Sequence, residues 1–215
     1  MMKIKDMLIT PNKYSRPQTK LNKVDRILVH WVANAGSTAE NNARYFDGLK
    51  IGKKNGSGGY TYASAHYIIG NDGVVIRCVP ENEVAYHASE AKSYSIGIEM
   101  CHPDNGGKFT QAAYDTLIEL LVDLCKRYKL EPTVGIIRHY DVTGKDCPRY
   151  YVKNKSEWVK LKEDVSRGMK KDPELESAVK VLQDKGIISS PDVWVSGKYS
   201  EGNVRSLILK VASCR

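Results

Sequence analysis

Long apolar runs are missing from this 215-residue chain: no segment can span a bilayer, and the N-terminal MMKIKDMLITPNKYSRPQTK carries lysines but no apolar core of the signal-peptide kind. The expectation is synthesis in the cytoplasm without a signal peptide, so that a target outside the membrane is reached only if another agent opens the way. Cysteine is sparse and odd in number, and Cys78, Cys101, Cys125, Cys147 and Cys214 include no CxxC pair, which argues against a disulfide scaffold. Internal repeats are absent too. So is the interleaving of aromatic and basic residues that marks an RNA-binding sheet, which argues against nucleic acid as the main partner; the formal charge of +8 suits a polyanion, an acidic wall polymer among them, and does not by itself choose one.

What is present is an ordinary globular composition, 41% hydrophobic, enough for one well-buried domain and a small second one. Residues 1–24, broken by Pro11 and Pro17, read as an irregular basic arm. Residues 26–31 (RILVHW) read as a strand with Ile27, Val29 and Trp31 on one face and His30 on the other. Ser37 followed by Glu40 reads as a capping box for a helix reaching Leu49, and the Gly- and Lys-rich residues 50–60 as an exposed loop. Residues 64–69 and 74–79 flank Gly-Asn-Asp-Gly, a hairpin turn, and residues 95–100 (SIGIEM) form another strand.

After Thr110 as N-cap, Ala113, Leu117, Leu120, Leu121, Leu124 and Tyr128 repeat at helical spacing. Residues 134–138 read as a strand delivering His139, residues 140–152 as a loop, and residues 156–169 as an amphipathic helix. Strands interleaved with helices imply an α/β fold, a mixed central sheet flanked by helices. The charged stretch at residues 170–173, ending in Pro173, divides a domain over residues 1–170 from a small helical region over residues 171–215. Helices are expected there at residues 174–185 and 203–212, with a short one begun by Ser190-Pro191-Asp192.

His30, His139 and Cys147 are ligand types that zinc prefers, and a catalytic zinc takes three protein ligands and keeps one position open. Spacing alone leaves these residues equally able to be core or surface groups. Lys145, two positions before the cysteine, is either an electrophile beside such a metal or a solvated loop charge.

The flanking residues decide. HYDVTGKDCPR, from His139 to Arg149, closely resembles the H-R-D-x-T-x-K-x-C-P-G signature of zinc-dependent N-acetylmuramoyl-L-alanine amidases and the related peptidoglycan recognition proteins. ILVHW around His30, SAHYIIGNDGVV at residues 64–75, AYHA around His87 and SIGIEM around Glu99 resemble the family's other segments in the same order. The resemblance covers about residues 24–165. It implies a zinc ion (Zn2+) held by His30, His139 and Cys147 in a groove that receives the peptide stem of peptidoglycan. It also implies Glu99 as proton shuttle, Lys145 as oxyanion stabiliser and His87 as a substrate-groove residue. Ala65 stands where other members have a catalytic tyrosine, which leaves the proton work to Glu99, and Arg149 stands in place of the usual glycine.

The activity implied is hydrolysis of the amide joining the lactyl group of N-acetylmuramic acid to L-alanine. The short appendage and missing signal peptide resemble a phage-type endolysin that reaches the wall through a membrane lesion. The helical tail then serves wall binding or self-association into a homo-oligomer. Two readings compete: a cysteine-type wall peptidase using Cys147 and His139, which leaves His30 and Lys145 unexplained, and a non-catalytic peptidoglycan-binding protein.

Overall fold

Six short runs rich in β-branched residues, β1 (Ile4–Asp6), β2 (Arg26–Trp31), β3 (Tyr67–Ile69), β4 (Val75–Arg77), β5 (Ser95–Met100) and β6 (Ile136–Arg138), make one mixed sheet in the order β1-β4-β3-β5-β2-β6. The computed structural model describes residues 2–170 and 172–213 of the chain. Strands β3, β5, β2 and β6 run parallel to one another, and β4 runs antiparallel to β3 through the expected hairpin, with Gly73 at φ +81° in its turn.

The N-terminal arm is not irregular throughout, as its prolines suggested. Strand β1 pairs in parallel with β4, and beyond it the Ile9 amide donates to the Cys78 carbonyl at 2.9 Å. Ile9 and Tyr14 then enter a buried cluster with Ala39, Phe46, Leu49 and Ile68, and fully burying an isoleucine is worth about 2 kcal/mol. The arm is a structural edge of the core.

Helix α1 (Ala39–Gly48) is capped by Thr38, whose hydroxyl accepts from the Asn41 amide, and not by Ser37, whose hydroxyl donates to the Asn34 carbonyl. Helix α2 (Gln111–Tyr128) starts at Thr110 as its spacing predicted and buries the apolar stripe through Leu124, with Cys125 beside it. The expected strand at 134–138 is shorter than its apolar run, because Pro132 at N1 opens a single helical turn, α3 (Pro132–Gly135). The expected loop at 140–152 holds two short helices, α4 (His139–Thr143) and α5 (Arg149–Lys153), the first stopped by Gly144 at φ +74°. Helix α6 (Lys155–Met169) follows.

One compact unit runs to Gly168 and a second begins at Met169. The second contains α7 (Pro173–Asp184), α8 (Pro191–Val195) and α9 (Glu201–Ser213), with Val179, Ile187 and Ile188 forming its small core. Lys171 and Cys214 lie outside the described residues.

A half-buried polar cluster ties β3 to α2. Glu81 accepts from Tyr67, from Tyr128 and from both Arg127 guanidinium nitrogens, at 2.6 and 2.8 Å. Burial pushes the Glu81 carboxyl up, but the bonds from Arg127, Tyr128 and Tyr67 outweigh it and hold it at about 2, against an ordinary value of 4.5. A folded value below the unfolded one contributes stability that is whole above about pH 4.5 and is lost as pH falls through 2. Glu81→Gln is expected to cost about 2 kcal/mol at pH 7 and to flatten the acid dependence, measured by urea unfolding at pH 7 and pH 3. An unchanged acid dependence would remove Glu81 from that role.

Candidate metal centre

The sheet brings the expected residues together at the carboxyl ends of its parallel strands, where open α/β sheets place their ligands. His30 is the penultimate residue of β2 and Glu99 of β5, and the two are Cα partners across the strands, so their side chains leave the same face. Val29 pairs with Arg138 at the end of β6, which sets His139 beside them as the first residue of α4. Cys147 returns on the loop after α4, its carbonyl accepting from the Tyr140 amide at 2.9 Å.

The ligand atoms of His30, His139 and Cys147 all lie within 4.8 Å of one another. His30 Nδ1 is 3.1 Å from His139 Nδ1 and 3.8 Å from the Cys147 sulfur. Tetrahedral zinc, with bonds of about 2.05 Å to nitrogen and 2.3 Å to sulfur, asks for roughly 3.4 Å between two nitrogens and 3.6 Å between nitrogen and sulfur. The donor set fits such an ion in element, and the two separations measured from His30 Nδ1 lie within about 0.3 Å of those values.

Electrostatics agree. Burial, then the neighbouring His87, His139 and Lys145, hold the His30 imidazole well below its usual value, and burial and Lys145 lower that of His139. Both imidazoles are therefore neutral, the form that ligates. Burial, with Glu99 adding, pushes the Cys147 thiol up to about 12 against the pull of the Trp31 N–H and Lys145. A cation between the three donors removes that proton on binding. Burial also pushes the Glu99 carboxyl up to about 8, opposed by Lys145, and Glu99 Oε2 is buried with no hydrogen-bond partner among the described residues.

Glu99 faces a cavity of about 320 Å³ between the end of β2 and α1, lined also by Val32, Asn34, Asn41 and Tyr45. Sequence reasoning did not single out the asparagines of α1, since nothing in their spacing separates them from an ordinary polar helix face. Lys145 is exposed, and its charge acts on His30, His139, Glu99 and Cys147. His87, expected along the substrate groove, is buried, with its Nδ1 3.1 Å from His30 Nε2. His66 is buried and committed to the backbone: its Nδ1 accepts from Gly97 N–H and its Nε2 donates to the Glu83 carbonyl, both at 2.9 Å.

Two residues near the ligands, Asp141 in α4 and Arg149 at the start of α5, are explained by their contacts. Asp141 caps α4 by accepting from the Arg138 amide and guanidinium, and it is not among the grouped donors His30, His139 and Cys147. Arg149 is not a free solvent charge: it lies 4.6 Å over the Trp31 ring, donates to Asp146 at 2.9 Å and to the Asn105 carbonyl at 3.2 Å, and so clamps the Cys147 loop to β2.

A family profile described as N-acetylmuramoyl-L-alanine amidase matches residues 20–150. The N-acetylmuramoyl-L-alanine amidase BlyA of Bacillus subtilis strain 168 is 34% identical over 181 residues, which cover 75% of this chain and 46% of that protein. CwlL of Bacillus licheniformis, another N-acetylmuramoyl-L-alanine amidase, is 36% identical, covering 77% of this chain and 47% of its own length. The chain thus spans about half the length of the curated relatives it matches. Among solved structures, a mutant endolysin from Bacillus subtilis superposes with a TM-score of 0.62 at 26% identity, over 77% of this chain and 99% of that one. With its profile match lying across the whole site, the chain belongs to the N-acetylmuramoyl-L-alanine amidase family.

Proposed function

We propose that the chain hydrolyses the amide between the lactyl group of N-acetylmuramic acid and L-alanine in peptidoglycan, as a zinc-dependent, endolysin-like amidase. The observation that carries this reading is the convergence of His30, His139 and Cys147 donors within 4.8 Å, with Glu99 Oε2, buried and without a hydrogen-bond partner among the described residues, on the neighbouring strand. Zinc in that position supplies Lewis-acid polarisation and makes water acidic enough to attack near neutral pH.

Each residue then has one task. Glu99 takes the proton of the attacking water and returns it to the leaving nitrogen, and its place between burial and Lys145 keeps its affinity for that proton near neutrality. Lys145 donates to the carbonyl oxygen as negative charge develops there. Ala65 is fully buried and offers no titratable group, so the proton work rests on Glu99. No helix among the described residues is long and apolar enough to cross a membrane.

Mass spectrometry of digested peptidoglycan is expected to find free lactyl ends and new L-alanine amino termini, to lose both with a chelator, and to regain them with zinc. Cleavage of any other bond would overturn the substrate assignment. Full activity in the chelator would overturn the metal.

A further inference from the structure

We infer that His87 is a positioning residue for His30, fixing the His30 tautomer that leaves Nδ1 bare for the metal; this rests on the zinc reading above. His30 turns Nδ1 toward Cys147 and His139, and its other ring nitrogen, Nε2, lies 3.1 Å from His87 Nδ1 in a buried contact. A neutral imidazole carries one proton, on one of its two nitrogens. If His87 donated in this pair, the His30 proton would sit on Nδ1, pointing into the ligand cluster and blocking it.

The direction is set two residues away. Ser95, the first residue of β5, donates its hydroxyl proton to the Ala91 carbonyl, so its oxygen offers only lone pairs to His87 Nε2, 3.5 Å distant. With the Ser95 backbone also bonded to the ring, this arrangement favours a proton on His87 Nε2, so that Nδ1 accepts and His30 donates from Nε2. The chain of bonds from Ala91 through Ser95 and His87 to His30 has one consistent orientation, and it ends in a lone pair aimed at His139 and Cys147.

The surrounding backbone is shaped for this ring. A Cβ on Gly97 would come within 2.4 Å of the His87 ring carbon Cγ, so only glycine at that position of β5 leaves the imidazole its place. His66, edge-on at 5.8 Å, has both ring nitrogens bonded to backbone and cannot substitute. His87 thus acts on the metal through His30, and its buried ring is not a surface for substrate. Such supporting bonds are a general need of metal-bound imidazoles.

The test is the zinc dissociation constant of the full chain, read by chelator competition, for wild type, His87→Asn and His87→Gln. The asparagine Oδ1 falls near the place of Nδ1 and accepts from His30, whereas the glutamine amide reaches toward the place of Nε2. His87→Gln is expected to weaken zinc about 10- to 100-fold and His87→Asn no more than about 3-fold, with thermal melts of the metal-free proteins as the check on folding. Gly97→Ala, which displaces the ring without touching its chemistry, is expected to follow His87→Gln. At saturating zinc, His87→Gln is expected to regain the wild-type KM.

Wild-type zinc affinity in His87→Gln, or equal losses in the two His87 variants, overturns the inference, as does a raised KM at unchanged zinc affinity, which would make His87 a substrate contact. A wild-type chain that takes up no zinc brings down the metal reading itself, whereas a zinc-binding wild type with unaltered variants brings down this inference alone.

Discussion

Glu99→Gln is expected to slow amide hydrolysis by about 10²- to 10⁴-fold and, at the same time, to make the metal-free protein more stable at pH 8. Both effects come from one carboxyl group. Burial raises it to about 8 from an ordinary value of 4.5, so between those values the folded chain holds a proton that the unfolded chain has released. A raised acid contributes stability that is whole below about pH 4.5 and is lost as pH climbs to 8. Each tenfold change in proton affinity is worth about 1.4 kcal/mol, so the loss across that range is several kcal/mol. Glutamine carries no charge to desolvate and escapes that loss, at the expense of the proton transfer. Urea unfolding in chelator at pH 5 and pH 8, beside the rate of release of new amino termini, reads both halves. A variant as active as wild type would remove Glu99 from the chemistry. A wild type equally stable at both pH values would show that the carboxyl is not buried against its charge.

Much of the scaffold was legible because the elements around the site declare themselves locally. Strands β2 and β5 have apolar runs bounded by polar loops, and α2 has a full apolar stripe behind a threonine cap, so their limits agree with the sequence pattern. Strand β1 was not legible: its three residues are exposed and carry no pattern, and what makes them a strand is register with β4, about seventy residues away. The short helices α4 and α5 were missed for a related reason, since five residues are too few to display a period; α4 follows from the Arg138–Asp141 cap and the Gly144 stop, and α5 begins directly after Pro148.

The site divides in the same way. His30, His139, Cys147 and Lys145 were singled out by residue type and, with Glu99, by a family resemblance, and the fold brings the three donors within 4.8 Å of one another. The buried place of His87 depends on Gly97 and Ser95 of another strand, and a histidine in a polar loop gives no sign of such a contact. Arg149 is the same kind of case: its seat on Trp31 requires the loop to be folded back against β2.

Cys147→Asp is expected to retain zinc and measurable hydrolysis, whereas Cys147→Ala is expected to hold zinc much more weakly and to lose hydrolysis, and this contrast separates a metal ligand from a nucleophile. The thiol is 2% exposed and burial pushes it up to about 12, so at pH 7 only about one molecule in 10⁵ carries a thiolate when no cation is present. A nucleophilic cysteine needs a base or cation that lowers this value, and His139, which lies nearest to His30 Nδ1, is turned toward the same centre as the sulfur. The three donors share one focus. Aspartate can offer an oxygen to that focus at about 2.0–2.2 Å, close to the zinc–sulfur distance, while its attack on an amide would not reproduce that of a thiolate. Zinc binding worth roughly 10–16 kcal/mol in four-ligand sites averages about 3 kcal/mol per ligand, so Cys147→Ala is expected to bind zinc about two orders of magnitude more weakly. Elemental analysis of the purified variants and the rate of appearance of new amino termini give the two readouts. A zinc-loaded but inactive Cys147→Asp, together with wild-type activity that resists chelation and falls to a thiol alkylator, would move the chemistry onto sulfur. Zinc and activity surviving together in Cys147→Asp leave the cysteine as a ligand, held in place by the Trp31 amide on one side and the Arg149 clamp on the other.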